Sequence, residues 1–322
     1  MKNSKLIGLV LAAGKGTRMK SSLPKVLHRL IGQPLLAHVI DILQDAGVND
    51  IYVVVGHGAD RVVEAFKDYS VHFVRQDRQL GTGHAVKIAE PTLSHLVGDI
   101  LIICGDTPLV LPETLARFVK NHNESRNGVS ILSARLSEPA GYGRIIRDSS
   151  GKFKKIVEEK DASFEEKRVS EVNTGTYLVD KDLLFELVKR IDCDNAQGEF
   201  YLTDIVELAT ISEHKVGAFC LASHEEALGV NSRNQLAEAE RVLLSRLREK
   251  WMAQGVTISM PDTVYLEKSV TIGQDTSIGP FSMLKGATTI GEGAEIGAHC
   301  IIQDAKIPSG SIVDPYSYIK GT

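Results

Sequence analysis

Cysteine is scarce in this 322-residue chain and widely scattered: Cys104, Cys193, Cys220 and Cys300 form no Cys-x-x-Cys pair. That argues against a disulfide framework and a thiolate zinc site, and for reduced, buried thiols in a cytoplasmic protein. Long apolar runs are also missing. None approaches the roughly 20 residues that span a bilayer, and the N-terminus enters a strand pattern almost at once, with no secretory signature. The chain is therefore expected to be cytoplasmic and without a membrane partner. Cationic excess is absent as well: 37 Lys and Arg stand against 41 Asp and Glu, a formal charge of −4. No nucleic-acid partner is expected, and any anion site must be local. With 43% hydrophobic and 24% charged residues, the composition is that of a globular protein of about two domains.

What is present begins with Leu9–Lys25, LVLAAGKGTRMKSSLPK. An apolar run, Leu6–Leu11, has the length of a buried strand and breaks into small residues, two glycines and cations. Glycines let a backbone bring its N–H groups against a phosphate, and Lys15, Arg18, Lys20 and Lys25 can neutralise one. Two common phosphate loops do not fit. A dinucleotide fingerprint needs a small residue where Met19 stands, and a P-loop needs Ser or Thr where Gly16 stands. Strands then alternate with helices as far as Val110. Pro34 opens a helix with apolar face Leu35, Leu36, Val39, Ile40 and Leu43, and Gly47 closes it. Ile51–Val55 is a strand, Arg61–Lys67 a short helix, Val71–Val74 a strand. A polar loop, Gln76–Ala85, feeds another helix, and the strand Asp99–Cys104 ends in Gly-Asp-Thr-Pro-Leu. This alternation predicts an α/β, Rossmann-like, mostly parallel sheet whose ligands sit beyond the carboxyl ends of its strands.

Between Gly128 and Leu221 the pattern predicts strands at Val129–Ala134, Gly143–Arg147, Phe153–Val157 and Thr174–Val179, with helices at Lys181–Arg190 and Phe200–Ala209. A long helix follows over Arg233–Gln254, with apolar positions Leu236, Val242, Leu243 and Leu247 and a polar length suited to a linker. Then comes a repeat. Leu266, Ile272, Ile278, Leu284, Ile290, Ile296 and Ile302 recur every sixth residue. After one shortened step Ile307, Val313 and Ile319 resume the register. Small side chains (Thr276, Ser282, Thr288, Ala294, Cys300, Ser311, Ser317) stand four residues after most of them. A period of six fits neither strand nor helix, but it fits a prism-shaped coil with three short faces per turn. The expected organisation is residues 1–231, a linker helix 232–254, and a short left-handed parallel β-helix over 255–322.

The stretch LAAGKGTRM with LPK resembles the activation loop of sugar-nucleotide nucleotidyltransferases. Together with GTGHAV, GDTPL, GYGRI, IVEEKDA, NTGTY, NAQGEFYLTDI, GVNSR and the hexapeptides, the whole chain resembles the N-acetylglucosamine-1-phosphate uridyltransferase family, usually fused to an acetyltransferase. The resemblance implies that Leu11, Ala12, Gly14, Gln76, Gln79, Gly81 and Thr82 hold the uridine of UTP. The amides of Gln76 and Gln79 would offer the uracil edge both donor and acceptor. It further implies that Asp106 and Asn231 hold Mg²⁺, that Gly143, Glu158, Asn173 and Tyr201 read the sugar of N-acetylglucosamine 1-phosphate, and that Arg18 and Lys25 stabilise phosphate charge during transfer. Taken singly, Asp106 could cap the next segment, Asn231 a helix, and Glu158 could be one more solvated charge.

On this reading a sugar-phosphate oxygen attacks the α-phosphorus of UTP and pyrophosphate leaves, without a protein nucleophile. Three flat faces imply a homotrimer, less stable than that of a longer β-helix. The chain stops before the family's acetyltransferase residues and His299 is not among them, so no acetyl transfer is expected. The rival expectations are a glucose-1-phosphate nucleotidyltransferase and, in another class, a non-catalytic regulatory subunit. The latter need not keep Arg18, Lys25, Asp106 and Asn231 together.

Overall fold

Strand β1 (Leu6–Ala12) lies in the interior of the first sheet, and its alternation divides the core in two. Ile7 and Leu9 point into one hydrophobic cluster, Val10 and Ala12 into the other, as a period of two requires. The computed structural model describes residues 5–321. In chain order β1 is followed by α1 (Leu35–Asp45), β2 (Asp50–Val55), α2 (Ala59–Ala65), β3 (His72–Arg75), α3 (Thr82–Leu93), β4 (Asp99–Cys104) and α4 (Pro112–Ser125). Next come β5 (Val129–Arg135), β6 (Gly143–Arg147), β7 (Phe153–Val157), α5 (Phe164–Lys167), β8 (Glu171–Asp180), α6 (Lys181–Val188), α7 (Asp204–Ile211) and β9 (Val216–Cys220). The described residues divide into two compact units. One runs as far as His28 and resumes over Leu35–Ser232; the other combines Arg29–Pro34 with the chain from Arg233 onward.

In the first unit the sheet order is β9-β5-β8-β4-β1-β2-β3. β4, β1, β2 and β3 are mutually parallel, and so are β5 and β9. β8 alone runs antiparallel to both neighbours. Helices α3, α6 and α7 cover one face and α1 and α4 the other, the two-sided burial expected of such sheets. The β6–β7 hairpin branches off the sheet through two β8 residues, Val172 and Asn173. The β5 pairing slips at a bulge between Asn173 and Thr176, where Gly175 adopts φ 80°.

Three of these elements, α4, α5 and β9, escaped the sequence pattern. α4 begins with Pro112 and buries Thr114, Leu115, Phe118 and His122, too polar a face to stand out. β9 is an edge strand without a fully buried residue. α2 starts two residues before the expected Arg61. α7 begins at Asp204 rather than Phe200, because Glu199–Leu202 are spent on backbone and side-chain bonds to the Leu80–Gly83 loop: Phe200 N–H donates to Leu80 O, Gly83 N–H to Phe200 O, and Leu202 N–H to Thr82 Oγ1.

In the second unit α8 (Arg233–Ala253) is more than a linker. Leu244, Leu247 and Trp251 pack into the coil's core, as does Ile31 from the Arg29–Pro34 segment; Leu236 and Leu243 are only half-buried. The coil has three parallel sheets, carrying Ile258-Ile278-Ile296-Val313, Leu266-Leu284-Ile302-Ile319 and Ile272-Ile290-Ile307. Partners lie twenty residues apart in the first pair, Ile258 and Ile278, then eighteen until the shortened step after Ile302, then seventeen. It is a left-handed parallel β-helix. Thr276, Ser282, Thr288, Ala294 and Cys300 are fully buried at its corners. The Thr276 and Ser282 hydroxyls donate to the carbonyls of Gly291 and Gly297, which satisfies these two buried groups.

Candidate active site

Five segments of the first unit converge at the carboxyl ends of β1, β3 and β4. Beyond β1, Gly16 adopts φ 60°, and a β-carbon there would come within 2.7 Å of Lys25 Cβ. The loop thus needs glycine both for its turn and for the approach of Lys25. Leu11, Ala12, Gly14, Lys15, Arg18, Lys25, Gln76, Gln79, Gly81, Thr82, Asp106 and Asn231 line one cleft of about 430 Å³. All seven nucleotide residues expected from the sequence are in it, with both cations and both metal candidates. Glu199 and Cys104 line it too. Neither was singled out, Glu199 because a carboxylate in a polar run gives no periodic signal.

Lys25 is the hub. Its ammonium pairs with the Asp106 carboxylate and donates to Asn231 Oδ1 at 3.0 Å. Asp106 holds Asn231 nearby through the backbone, its carbonyl accepting from Val230 N–H at 2.8 Å. A carboxylate and a carboxamide oxygen therefore face one cation, and their hard-oxygen chemistry fits Mg²⁺. Among the described residues no three His, Cys, Asp or Glu side chains gather to hold a metal, which leaves room for water and phosphate ligands. Arg18 lines the cleft and is exposed at its rim.

The Gln76 amide departs from expectation. Its Nε2 donates to Gly81 O at 3.1 Å and lies 3.0 Å from His84 Nδ1. Both amide hydrogens are spent, so Gln76 presents an acceptor and no donor. Gln79 Nε2 donates to Gln76 O, keeping one hydrogen and its oxygen.

The four sugar candidates lie outside that cleft, in a group of their own. Gly143 pairs with Asn173 across the β6–β8 ladder, and a β-carbon on Gly143 would reach 3.5 Å from Glu158 Oε1. Asn173 donates to the Tyr177 hydroxyl at 2.7 Å and accepts from Gly175 N–H at 3.0 Å. Glu158 and Tyr201 line a second cavity of about 320 Å³ that also carries Asp161, Asp192, Asp204 and Glu207. Thr203 Oγ1 donates to Glu158 Oε1. The Tyr201 hydroxyl is buried, with Gln197 and Asp161 beside it. Burial raises the Glu158 carboxyl and the Tyr177 phenol, and pushes the Tyr201 phenol up to about 12. Cys104 connects the groups: it lines the first cleft and stands 3.8 Å from Gly175 O. Burial, then the Asp106 charge, pushes its thiol up to about 12, so it is an inert wall rather than a nucleophile.

A glycine loop, two glutamine amides, a lysine, a carboxylate and a carboxamide gathered at the strand ends of an α/β sheet fit a sugar-phosphate nucleotidyltransferase. Residues 8–165 match the MobA-like NTP transferase domain, and residues 269–303 the bacterial transferase hexapeptide (six repeats). The chain is 45% identical over 310 residues to the bifunctional protein GlmU of Halalkalibacterium halodurans, covering 96% of this chain and 68% of that one. It is 50% identical over 305 residues to GlmU of Caldanaerobacter subterraneus subsp. tengcongensis (95% and 66%) and 43% identical over 333 residues to that of Listeria monocytogenes serovar 1/2a (98% and 73%). The chain spans about two thirds of the length of these relatives. It belongs to the GlmU family, and is an enzyme of the UDP-N-acetylglucosamine diphosphorylase class. Among the described residues no helix is long and apolar enough to cross a membrane.

Proposed function

We propose that the protein transfers uridylyl from UTP to N-acetylglucosamine 1-phosphate, giving UDP-N-acetylglucosamine and pyrophosphate for cell-envelope polysaccharide synthesis in the cytoplasm. The observation that carries this reading is the Lys25 ammonium held between Asp106 and Asn231, in the cleft lined by the glycine loop and Gln76. Leu11, Ala12, Gly14, Gln76, Gln79, Gly81 and Thr82 seat the uridine. Gly143, Glu158, Asn173 and Tyr201 seat the sugar and its acetamido group; Glu158 and Tyr201 line one cavity. Arg18 and Lys25 meet charge on the α-phosphate and the leaving pyrophosphate. With both substrates aligned, a phosphate oxygen of the sugar attacks the α-phosphorus in line and the P–O bond to pyrophosphate breaks. The protein contributes position and charge only.

Nucleotidyltransferases of this family work with a divalent metal. The oxygens of Asp106 and Asn231 would hold Mg²⁺, which when bound would offset phosphate charge. Lys25, beside them, is placed to meet the same phosphate charge. The coil assembles the chain into a homotrimer through its three flat faces. Acetyl transfer is not expected from these residues. His299, the histidine within the matched repeats, is exposed and stacked between the Phe281 and Tyr316 rings, both at 4.9 Å.

Pyrophosphate release from UTP with a panel of sugar 1-phosphates tests the proposal. N-acetylglucosamine 1-phosphate should be the best acceptor; turnover as fast with glucose 1-phosphate would favour the rival synthase.

A further inference from the structure

Gln76 is 3% exposed and its side-chain amide has a defined polarity. A carbonyl can only accept, so the contact to Gly81 O identifies the nitrogen end of the amide. The second hydrogen of that nitrogen faces His84 Nδ1 at 3.0 Å. Nδ1 must therefore be bare, with the imidazole proton on Nε2. The remaining atom is Oε1, an acceptor, and Gln76 lines the cleft. His84 stands in the first turn of α3, with the Phe200 ring 6.3 Å from its own. Burial lowers its pKa, and the positive charges of Lys87 on the same helix and Arg78 in the adjoining loop lower it further. Glu199 is the carboxylate of the facing turn. The imidazole is thus kept neutral, the form this hydrogen bond needs.

We propose that His84 is a positioning residue for base selection: by accepting from Gln76 it locks the amide with its oxygen toward the ligand, so that this point of the cleft accepts only a base that donates. Uracil presents its N3–H there. Cytosine presents a bare N3, and two lone pairs would face each other in a buried site, which costs more than a missing bond. The inference rests on the nucleotide reading of the cleft and adds what sets its selectivity.

The test is the ratio of kcat/KM for UTP over CTP with N-acetylglucosamine 1-phosphate as acceptor. The parent should favour UTP by about a hundredfold, the order expected when a buried acceptor is left opposed. His84→Ala should cut the ratio by about tenfold, because the amide keeps only its Gly81 anchor. His84→Asn, whose Oδ1 can stand where Nδ1 stood, should restore it. In the parent the ratio should hold from pH 8 to 6.5 and fall on further acidification, as Nδ1–H comes to face the amide N–H; the His84→Asn variant should show no such fall. An equal loss for both nucleotides in His84→Ala would mean a merely structural histidine and overturn the inference. An unchanged ratio in His84→Ala, with collapse in Gln76→Ala, would overturn the role of His84 and leave the nucleotide reading standing. If Gln76→Ala changes neither the ratio nor the KM for UTP, the nucleotide reading itself falls, and this inference with it.

Discussion

The two units bury aliphatic side chains equally well and differ in what they leave over. In the coil, the buried Thr276 and Ser282 hydroxyls are paired with the carbonyls of the next layer, and the repeat closes on itself. In the α/β unit, polar groups at the strand ends are turned to an open cleft, among them Gln76, Gln79 and the exposed Arg18. Repetition satisfies every residue with a neighbour of its own kind. A site requires residues that are left waiting for something else.

That contrast can be broken most forcefully in the coil. Leu284, fully buried between Leu266 and Ile302, should on replacement by Ala destabilise the coil by roughly 2–5 kcal/mol. Thermal or denaturant unfolding would read this, and kcat at a permissive temperature should not change. A matching loss of kcat would show that the coil takes part in the chemistry. Asp106→Ala should do the converse, lowering turnover about a hundredfold, on the order of 3 kcal/mol, with the melting temperature retained. Turnover within threefold of the parent at saturating Mg²⁺ would remove Asp106 from the site.

Arg18→Ala and Lys25→Ala sharpen the comparison within the cleft, and steady-state kinetics with UTP separates their roles. A fall in kcat is expected from groups that meet charge developing in the transition state. A rise in KM alone would reassign them to ground-state phosphate binding. Light scattering over a dilution series addresses the coil's faces: the expectation is a trimer at high concentration, dissociating with constant activity per chain. The smallest effect concerns Asp204, whose carboxyl is pushed up to about 6 by burial and by the nearby charges of Asp192 and Glu158. A carboxyl whose pKa is raised on folding penalises the native state above that pKa and not below the unfolded value near 4. Asp204→Asn should therefore raise the melting temperature slightly at pH 7.5, and the gain should vanish by pH 4.

The coil was almost wholly legible, including the shortened step, because each layer repeats the same demand on Ile or Leu. Its first rung, Ile258, was not, since eight residues rather than six separate it from Leu266. In the α/β unit the parallel strands and the glycine loop announced themselves by apolar runs and turn chemistry. α4 and β9 did not, one amphipathic with a polar face, the other a half-exposed edge. The cleft's membership could be read from the motifs, but its polarity could not. That Gln76 offers an acceptor alone depends on Gly81 O and His84 Nδ1 meeting its nitrogen, a three-dimensional circumstance with no trace in spacing. The engagement of Lys25 with Asp106 across 81 residues is of the same kind.

The most direct measurement is a crystal structure of the protein with UDP-N-acetylglucosamine and Mg²⁺. The account predicts uracil N3–H against Gln76 Oε1, the metal on Asp106 and Asn231, and the acetamido sugar among Gly143, Glu158, Asn173 and Tyr201. A nucleotide bound anywhere but this cleft, or a metal bound without Asp106, would contradict it.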